Sequence, residues 1–599
     1  MSIILAMEKS QILGYYYIVL RSINPSKSAI VSGVLVTLVV VPPLMDPINP
    51  FKLLFLSIGS ILTGLLLINS FAKAEKFRLN YISLILVISI ALLTLISIVI
   101  NNQKLTSALL GQWGRNNGLI SILSFILLFF VMTYCNLKDS RQLLIVFNYI
   151  GFISVTYAWL QNQNLDILRN LAESYKPNGI ILTVGNSNFA SVLLGLTFTA
   201  GLGVLLNQEF SKVFRFLSLI SVLLHLPLVP LLDTQGRILF AVGGGFITGF
   251  FLLNNSRTVI RKLSYIYWPL FFSIGVLGIS GLFGFGIFAN RLSDDLTNLK
   301  DRYYHWIAAI NMLKDNYLFG VGIDSFGDYY RLYRLQDAIL LRGTPMTGTD
   351  NAHNIFLQYG ATGGIFLMLA YIVLIIFVLW RSLVAFKLQK DKLLVGTLFS
   401  IWIAYQVQSV ISIEQLGLAV WNWLIGGALV SLSYNKNQLA NQVQSANYSD
   451  KENKLFLEKT SILFLSSTLI LTLFTTTSSI INDRQIKSQF EILNKVQNPN
   501  ESKAIAGDLL SLALRSDYPK LRMIVADNLA QIGFFEESFT IADQTTRDFP
   551  NFLSGWEIAA SILEANNQKN QAVPYRLKTV ELDPLNEIFK QRLMENKLE

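Results

Sequence analysis

The sequence predicts an all-α protein: a polytopic membrane helical bundle of about 12 core spans plus one further span, followed by a carboxy-terminal α-hairpin repeat domain. Three observations predict it. Hydrophobic residues make up 52% of the chain against 14% charged, with a mean hydropathy of +0.48. Apolar stretches of roughly 18 residues or more, long enough to cross a ~30 Å hydrocarbon core, recur as far as about position 480. Beyond that point the chain turns polar, with apolar residues at helical spacing, as at Leu509, Leu510, Leu512, Ala513 and Leu514.

The expected spans are 28–45, 51–70, 81–100, 118–134, 142–160, 189–206, 213–232, 238–253, 263–289, 355–380, 394–412, 418–433 and 460–481. Their connections alternate in charge. One set carries Lys9, Arg21 and Lys27; Lys73, Lys76 and Arg78; Lys138 and Arg141; Lys212 and Arg215; Arg257, Arg261 and Lys262; and Arg381, Lys387, Lys390 and Lys392. The intervening short loops hold only Lys104 and Arg115, Arg169 and Lys176, and Arg237. Basic loops stay in the cytoplasm, so the amino terminus is expected inside. The net charge of +10 is absorbed by this asymmetry, and no nucleic-acid partner is expected. Segments 101–117, 161–188, 232–237 and the long 290–354 then fall on the outer face. The resulting division is a cytoplasmic segment 1–27, a membrane domain 28–433, a cytoplasmic linker 434–459, a final span 460–481 and an outer helical domain 482–599. The first 27 residues have no short apolar core followed by a small-residue cleavage site, so no removable signal peptide is expected. The single cysteine, Cys135, excludes a disulfide framework and a cysteine zinc site.

The tail repeats. Pro550 and Pro584 stand 34 residues apart, with Trp556, Ala560, Leu563 and Ala572 between them. A slightly shorter copy runs from Pro519 through Ala526, Leu529 and Phe535 to Pro550. This period is that of tetratricopeptide-type hairpins, which stack around a shared core and leave a concave surface. An irregular helical bundle is the alternative.

Few residues can do chemistry. Of three histidines, His225 lies among leucines and prolines inside a span and reads as structural. His353 sits in Asp350-Asn351-Ala352-His353-Asn354 just before an apolar helix, where an imidazole could act as base for a hydroxyl or simply bond a loop. His305 belongs to Arg302-Tyr303-Tyr304-His305-Trp306, whose Arg302 and Trp306 stand one helical turn apart. Gly320 and Gly322 should end that helix and permit close backbone approach. The segments around Arg115, Asn186 with Asn188, and Arg237 fall on the same face by the charge count. Arginine suits such a site when the ligand is a phosphate ester, which its fork holds in a bidentate way, although snorkelling interface arginines would look the same. Asp294, Asp295, Asp301 and Asp324 read as solvated loop carboxylates. No cluster resembles a metal site, and no cofactor is expected.

The order Gly-Arg-Asn-Asn-Gly (114–118), Gly-Asn-Ser-Asn (185–188), Gln-Gly-Arg (235–237), Arg-x-x-x-Trp (302–306), Leu-Phe-Gly-Val-Gly (318–322) and Ala-His-Asn-x-x-Leu-Gln (352–358) resembles the O-antigen ligase and polymerase superfamily over roughly 110–432. The resemblance implies a metal-independent, inverting glycosyltransferase of the bacterial inner membrane. It would take a glycan from a polyprenyl-pyrophosphate donor and attach it to a lipid, protein or glycan acceptor on the outer face. Carried over by position, Arg237 and Arg302 would hold the donor pyrophosphate and His353 would be the base. Arg115, Asn186, Asn188, His305, Trp306, Gly320, Gly322 and Asn354 would line the substrate site. Two departures are visible: Tyr317 stands where the family has proline, and Ala361 stands near a position often acidic. A ligase is the leading expectation; a polymerase of the same superfamily and a secondary transporter are the alternatives. Transporters place ionisable residues at mid-membrane, whereas these spans are nearly free of charge. The repeat domain would offer a docking face to a protein partner.

Overall fold

Segment after segment, the helices of the membrane part begin where an Asn, Ser or Asp side chain caps the first turn. Asn24 accepts the Ser26 amide at 2.9 Å ahead of Pro25, Asn136 and Asp139 form a reciprocal capping box, and Asp391 accepts the Leu394 amide at 3.1 Å. These side chains satisfy amides that the helix itself leaves open. The computed structural model describes residues 24–73, 80–166, 179–282, 293–434 and 451–598. Lys9, Arg21, Lys76, Arg78, Arg169, Lys176 and the linker residues 435–450 lie outside the described residues, as do the side chains of Lys73, Asp294 and Asp295.

Among the described residues the fold is all-helical. In the membrane part α1 is Pro25–Leu38, α2 Asn49–Lys73, α3 Tyr81–Ile100, α4 Leu105–Leu110, α5 Leu119–Met132 and α6 Leu137–Asn162. They are followed by α7 Ser187–Leu206, α8 Lys212–His225, α9 Thr234–Leu253 and α10 Thr258–Leu282. The long connecting segment holds α11 Ser293–Asp315, α12 Phe326–Tyr333 and α13 Gln336–Arg342. Then come α14 Ile355–Leu388, α15 Lys392–Ser409, α16 Leu416–Leu432 and α17 Lys451–Leu493. Each expected span therefore overlaps a helix, although α1 ends at Leu38, short of the expected 45, and 283–289 lies outside the described residues. Eight helices are long and apolar enough to cross a membrane, while α1, α5 and α16 are apolar but shorter.

Three elements differ from expectation in form. The span at 213–232 ends as a 3-10 turn, Leu226–Leu231, because Pro227 and Pro230 cannot donate to an α-helical ladder. The span at 355–380 is broken at Gly364, whose φ of 84° departs from helical geometry. The last span is part of one unbroken helix, α17, which already runs through 451–459 and continues to Leu493.

Helix α7 is central, and α9 packs parallel to it: a Cβ on Gly236 would stand 2.5 Å from Ser191, and one on Gly243 would stand 2.0 Å from Thr199. Small residues let these two backbones approach closely, and the matched order of contacts puts both helix N-termini at the same end. His225, fully buried, contacts Ser221 O of its own helix at 2.8 Å and ties α8 to α7 through Thr197 Oγ1 at 3.3 Å.

The loops sort into two ends. At one, Asn24 bonds Asp139, Arg141 pairs with Asp391 at 2.8 Å, and Asn207 donates to Asp391 at 2.9 Å. This end gathers basic loops. At the other, Asn49 donates to Gly114 O at 3.0 Å, Thr183 to Thr37 O at 2.7 Å, and Asn117 to Glu414 O at 2.9 Å. All the polar motifs lie there.

The tail consists of α18 Pro499–Arg515, α19 Pro519–Gln531, α20 Phe535–Asp548, α21 Leu553–Ala565, α22 Lys569–Leu582 and α23 Glu587–Leu598. The repeat is visible in the backbone. Phe549 and Asp583 end their helices with the same φ of −138° and ψ of 71°, and their amides return to Thr545 O and Thr579 O. The hairpins are fastened to the motif end. Lys104 pairs with Asp517 at 2.8 Å, and Asn116 donates to Tyr518 Oη at 3.0 Å. Asp583 accepts Arg334 at 2.7 and 2.9 Å and Arg331 at 3.1 Å.

Arg334 and Asp583 are 1% and 0% exposed, and removing one partner of such a pair leaves an uncompensated buried charge. Asp583→Ala is predicted to cost about 3–5 kcal/mol and to release the hairpins from the bundle. Hydrogen exchange across 499–598 should accelerate, whereas unchanged exchange and melting would show that the pair does not hold the domain.

Candidate functional site

The broken helix builds the site. Where Gly364 interrupts α14, backbone groups that a continuous helix would satisfy are opened, and irregular backbone at membrane depth requires protein partners. The segment 317–322 supplies them. Val321 and Gly322 amides donate to Ala361 O and Thr362 O at 2.9 and 3.0 Å, and the Ile365 amide donates to Tyr317 O at 2.7 Å. Ser97 of α3 adds its hydroxyl to Phe319 O and Thr362 O at 2.8 and 3.1 Å. Gly320 and Gly322, expected to touch substrate, instead serve this pairing. Their φ values are 66° and 109°, and a Cβ on Gly320 would meet the Thr362 carbonyl carbon at 2.4 Å.

Pairing at 320–322 fixes the chain that leaves it. Asp324 follows, with φ 56°, and accepts the Gln112 amide at 2.7 Å. This corrects the reading of Asp324 as a solvated loop acid: it is 7% exposed, and burial pushes its carboxyl up to about 7, with the Gln112 bond opposing. Asp328, one turn further on, is pushed to about 7 by burial and then by the Asp324 charge.

His353 precedes α14. Its φ of 51° lies in the left-handed region, a strained choice for a bulky residue. Asn351 Oδ1 accepts its amide at 3.0 Å. Asn354, expected at the substrate, caps α14 by accepting the Leu357 amide at 3.0 Å. The His353 ring stacks on His305 of α11 at 5.1 Å with planes 27° apart, and the Trp306 indole donates to His353 O at 3.4 Å. Burial, then the His305 and Arg302 charges, hold His353 down at about 3. Burial likewise brings His305 to about 4 against the opposing Asp301 charge. Both imidazoles are neutral at physiological pH. His305 is 6% exposed, so it backs His353. Asp301, 3.7 Å from His305 Nε2, is engaged by Arg342 through two bonds, Nε to Oδ1 at 2.8 Å and Nη2 to Oδ2.

Arg115, expected to bind substrate, is already engaged: its Nε and Nη2 hold Asp350 at 3.0 and 3.2 Å. Burial raises the Asp350 carboxyl, but Arg115 outweighs it and the group stays below its ordinary value. Asn186 caps α7 by accepting the Asn188 amide at 2.8 Å. Arg237 is exposed in the first turn of the parallel α9, with Nη2 at 3.3 Å from Thr234 Oγ1. The structure thus brings Arg115, Arg302, His305, Trp306, His353 and Asn354 into one cluster. It places Asn186, Asn188 and Arg237 at the neighbouring pair of helix N-termini.

A cavity of about 520 Å³ opens beside His353. One wall includes Gln112, Arg115, Asp324, Asp328, Asp350 and His353; the other comes from the hairpins. Sequence reasoning missed Asp328, Arg331 and the whole hairpin wall. Asp350 could have been found, since it opens the motif that ends in His353-Asn354.

Fold and site together define a multi-helix membrane protein with a polar cleft at one end, walled in part by a buried imidazole. Residues 179–372 match the family described as O-Antigen ligase, a likeness that supports the O-antigen ligase superfamily, a family of the bacterial inner membrane. The match points to a glycosyl-transferring membrane enzyme of ligase or polymerase type, using a lipid-linked glycan donor and a glycan acceptor. It spans every expected site residue except Arg115. No curated protein matches the chain.

The Asp328 carboxyl binds its proton more tightly folded than unfolded, since an unfolded Asp titrates near ~3.9. Stability therefore falls as pH rises from about 4 to about 7. Asp328→Asn is predicted to melt above wild type, with a margin that widens between pH 5 and pH 8. A constant margin would refute the raised carboxyl.

Proposed function

We propose that the chain is a ligase-type glycosyltransferase moving a glycan from polyprenyl pyrophosphate to an acceptor hydroxyl on the outer face of the inner membrane. The observation that carries this reading is the neutral His353 imidazole on the wall of a polar cavity, with the Arg302 charge acting on it. The outer-face assignment is supported by the gathering of basic loops at the opposite end. In the same reading the hairpins are of tetratricopeptide type, supported by their 34-residue backbone period.

The donor pyrophosphate lies between Arg302 and Arg237. The parallel N-termini of α7 and α9 add positive helix ends to that place. The acceptor oxygen attacks the anomeric carbon, the bond to the pyrophosphate oxygen breaks, and the acceptor proton passes to His353. Attack from the face opposite the leaving group inverts the anomeric centre. Charge accumulates on the departing pyrophosphate, so the arginines stabilise the transition state more than the ground state. An imidazole near pKa 3 is a weak base, held there first by burial and then by neighbouring charges, of which the Arg302 charge is one that a bound pyrophosphate offsets. Donor binding thereby raises the basicity of His353, and the acceptor hydroxyl meets a competent base only when the donor is in place.

In liposomes with labelled polyprenyl-pyrophosphate glycan and candidate acceptors, His353→Ala is predicted to lose about 10²–10⁴-fold in transfer, and Arg302→Ala or Arg237→Ala about 10²-fold or more. Normal transfer by any of these variants would sink the assignment. A product ladder without added acceptor would favour the polymerase, and glycan flux without transfer the transporter. Proton resonances of His353 are predicted to titrate near pH 3 in the free protein and at higher pH once donor is bound. An unmoved or lowered titration point would remove donor binding as the trigger.

A further inference from the structure

The second wall of the cavity lies outside the residues that match the family. It comes from the first turn of α19, at Pro519 and Lys520, and from the corner between α20 and α21, at Phe549, Phe552, Leu553 and Ser554. We propose that this corner is one half of the acceptor subsite, and that it selects a neutral saccharide, packing a pyranose face against Phe552 and Trp113 while the opposite wall bonds the hydroxyls. The inference rests on the reading of His353 as acceptor base, because the same cavity holds both.

The aromatic groups sort by what already occupies them. Phe549 carries Lys104 at 4.9 Å and Arg522 at 5.3 Å over its ring, so it braces the corner. Phe552 is half-buried, packs in part against the hydrophobic core and lines the cavity at the mouth of α21. Trp113 directs its indole N–H to Asp483 at 3.0 Å and lines the cavity; the Lys520 ammonium stands over its ring at 6.0 Å, farther off than the two cations over Phe549. A sugar has this dual character: C–H faces that pack on aromatic rings, and an equatorial belt of hydroxyls that both donate and accept.

The charges choose between a sugar and an anionic headgroup. Of the cavity's cations, Arg115 and Arg331 are committed to Asp350 and Asp583, and Lys520 stands against the Trp113 ring with its charge acting on Asp350. Asp324 is a buried carboxyl and Asp328 a half-buried one on the same wall, and among the described residues no guanidinium or ammonium bonds either of them. Acids titrating near neutrality accept from hydroxyls when ionised and donate to them when protonated, but they repel phosphate. The volume of about 520 Å³ falls within the ~300–1,000 Å³ of small-ligand clefts.

The test is equilibrium binding of the full-length protein in detergent to an array of bacterial surface glycans, with no donor present. Wild type should retain at least one neutral glycan. Phe552→Ala should weaken it about tenfold or more, as the loss of a packed aromatic face implies. Ser554 is exposed and outside the hairpin core, so Ser554→Trp should block the cavity without unfolding the domain, and an unchanged melting temperature checks this. Retention of no neutral glycan by wild type would overturn the proposal, as would equal binding by Phe552→Ala and Ser554→Trp. So would capture of anionic phospholipid vesicles in place of glycan. Failure of the transferase reading looks different: Phe552-dependent glycan binding would persist while transfer from the donor proved indifferent to His353.

Discussion

A helix that breaks inside a membrane protein must find new partners for the backbone groups it exposes, and the interruption of α14 at Gly364 is the constraint on which the candidate site depends. A Cβ at Gly364 would stand 2.1 Å from Leu318 O, so the break and the 317–322 segment are shaped to each other. That pairing anchors the chain just before Asp324, and the short helix ahead of the break carries Asn354 as its cap and His353 immediately before it. The cavity wall is thus held by backbone hydrogen bonds at both sides of the histidine. His305 and Trp306 of α11 complete the support through a stacked ring and a bond to the His353 carbonyl.

The coarse architecture was legible in the sequence because apolar length and helical period are local properties. Each span announced itself, and the alternation of basic loops separated the two ends that the packing also separates. The 34-residue period was legible for the same reason. The roles of individual polar residues were less so, because they turn on partners far away in the chain. Gly320 and Gly322 were read as substrate contacts and work as backbone partners of 361–362. Arg115 was read as lining the substrate site, and its guanidinium is engaged by Asp350, 235 positions away. Asp324 was read as solvated, and nothing in its neighbours along the chain signals that Gln112 and the hairpins will enclose it.

The departures from the family pattern also have a physical reading. No acid stands at Ala361, yet carboxylates reach the site from elsewhere: Asp350 and Asp324 on the cavity, Asp301 behind His305, and Glu414 beneath it. Glu414 accepts Tyr359 Oη at 3.2 Å and Trp423 Nε1 at 3.4 Å, and burial raises its carboxyl to about 7. Tyr317 takes the place of proline at a position where only its carbonyl is used, accepting the Ile365 amide.

The two equivalent corners of the hairpin array are employed differently. Phe549 opens the one that walls the cavity, and Asp583, 34 positions later with the same backbone angles, grips Arg334 and Arg331. Stacked-repeat proteins commonly gain and lose whole units over evolutionary time, because each unit touches only its neighbours. Here that freedom is removed. Inserting or deleting one hairpin between α18 and α23 would slide an aromatic corner onto the arginine clamp, or an acidic corner over the cleft. The array's length is therefore tied to the bundle at both corners, so a change in the number of hairpins would disturb the cleft and the clamp together.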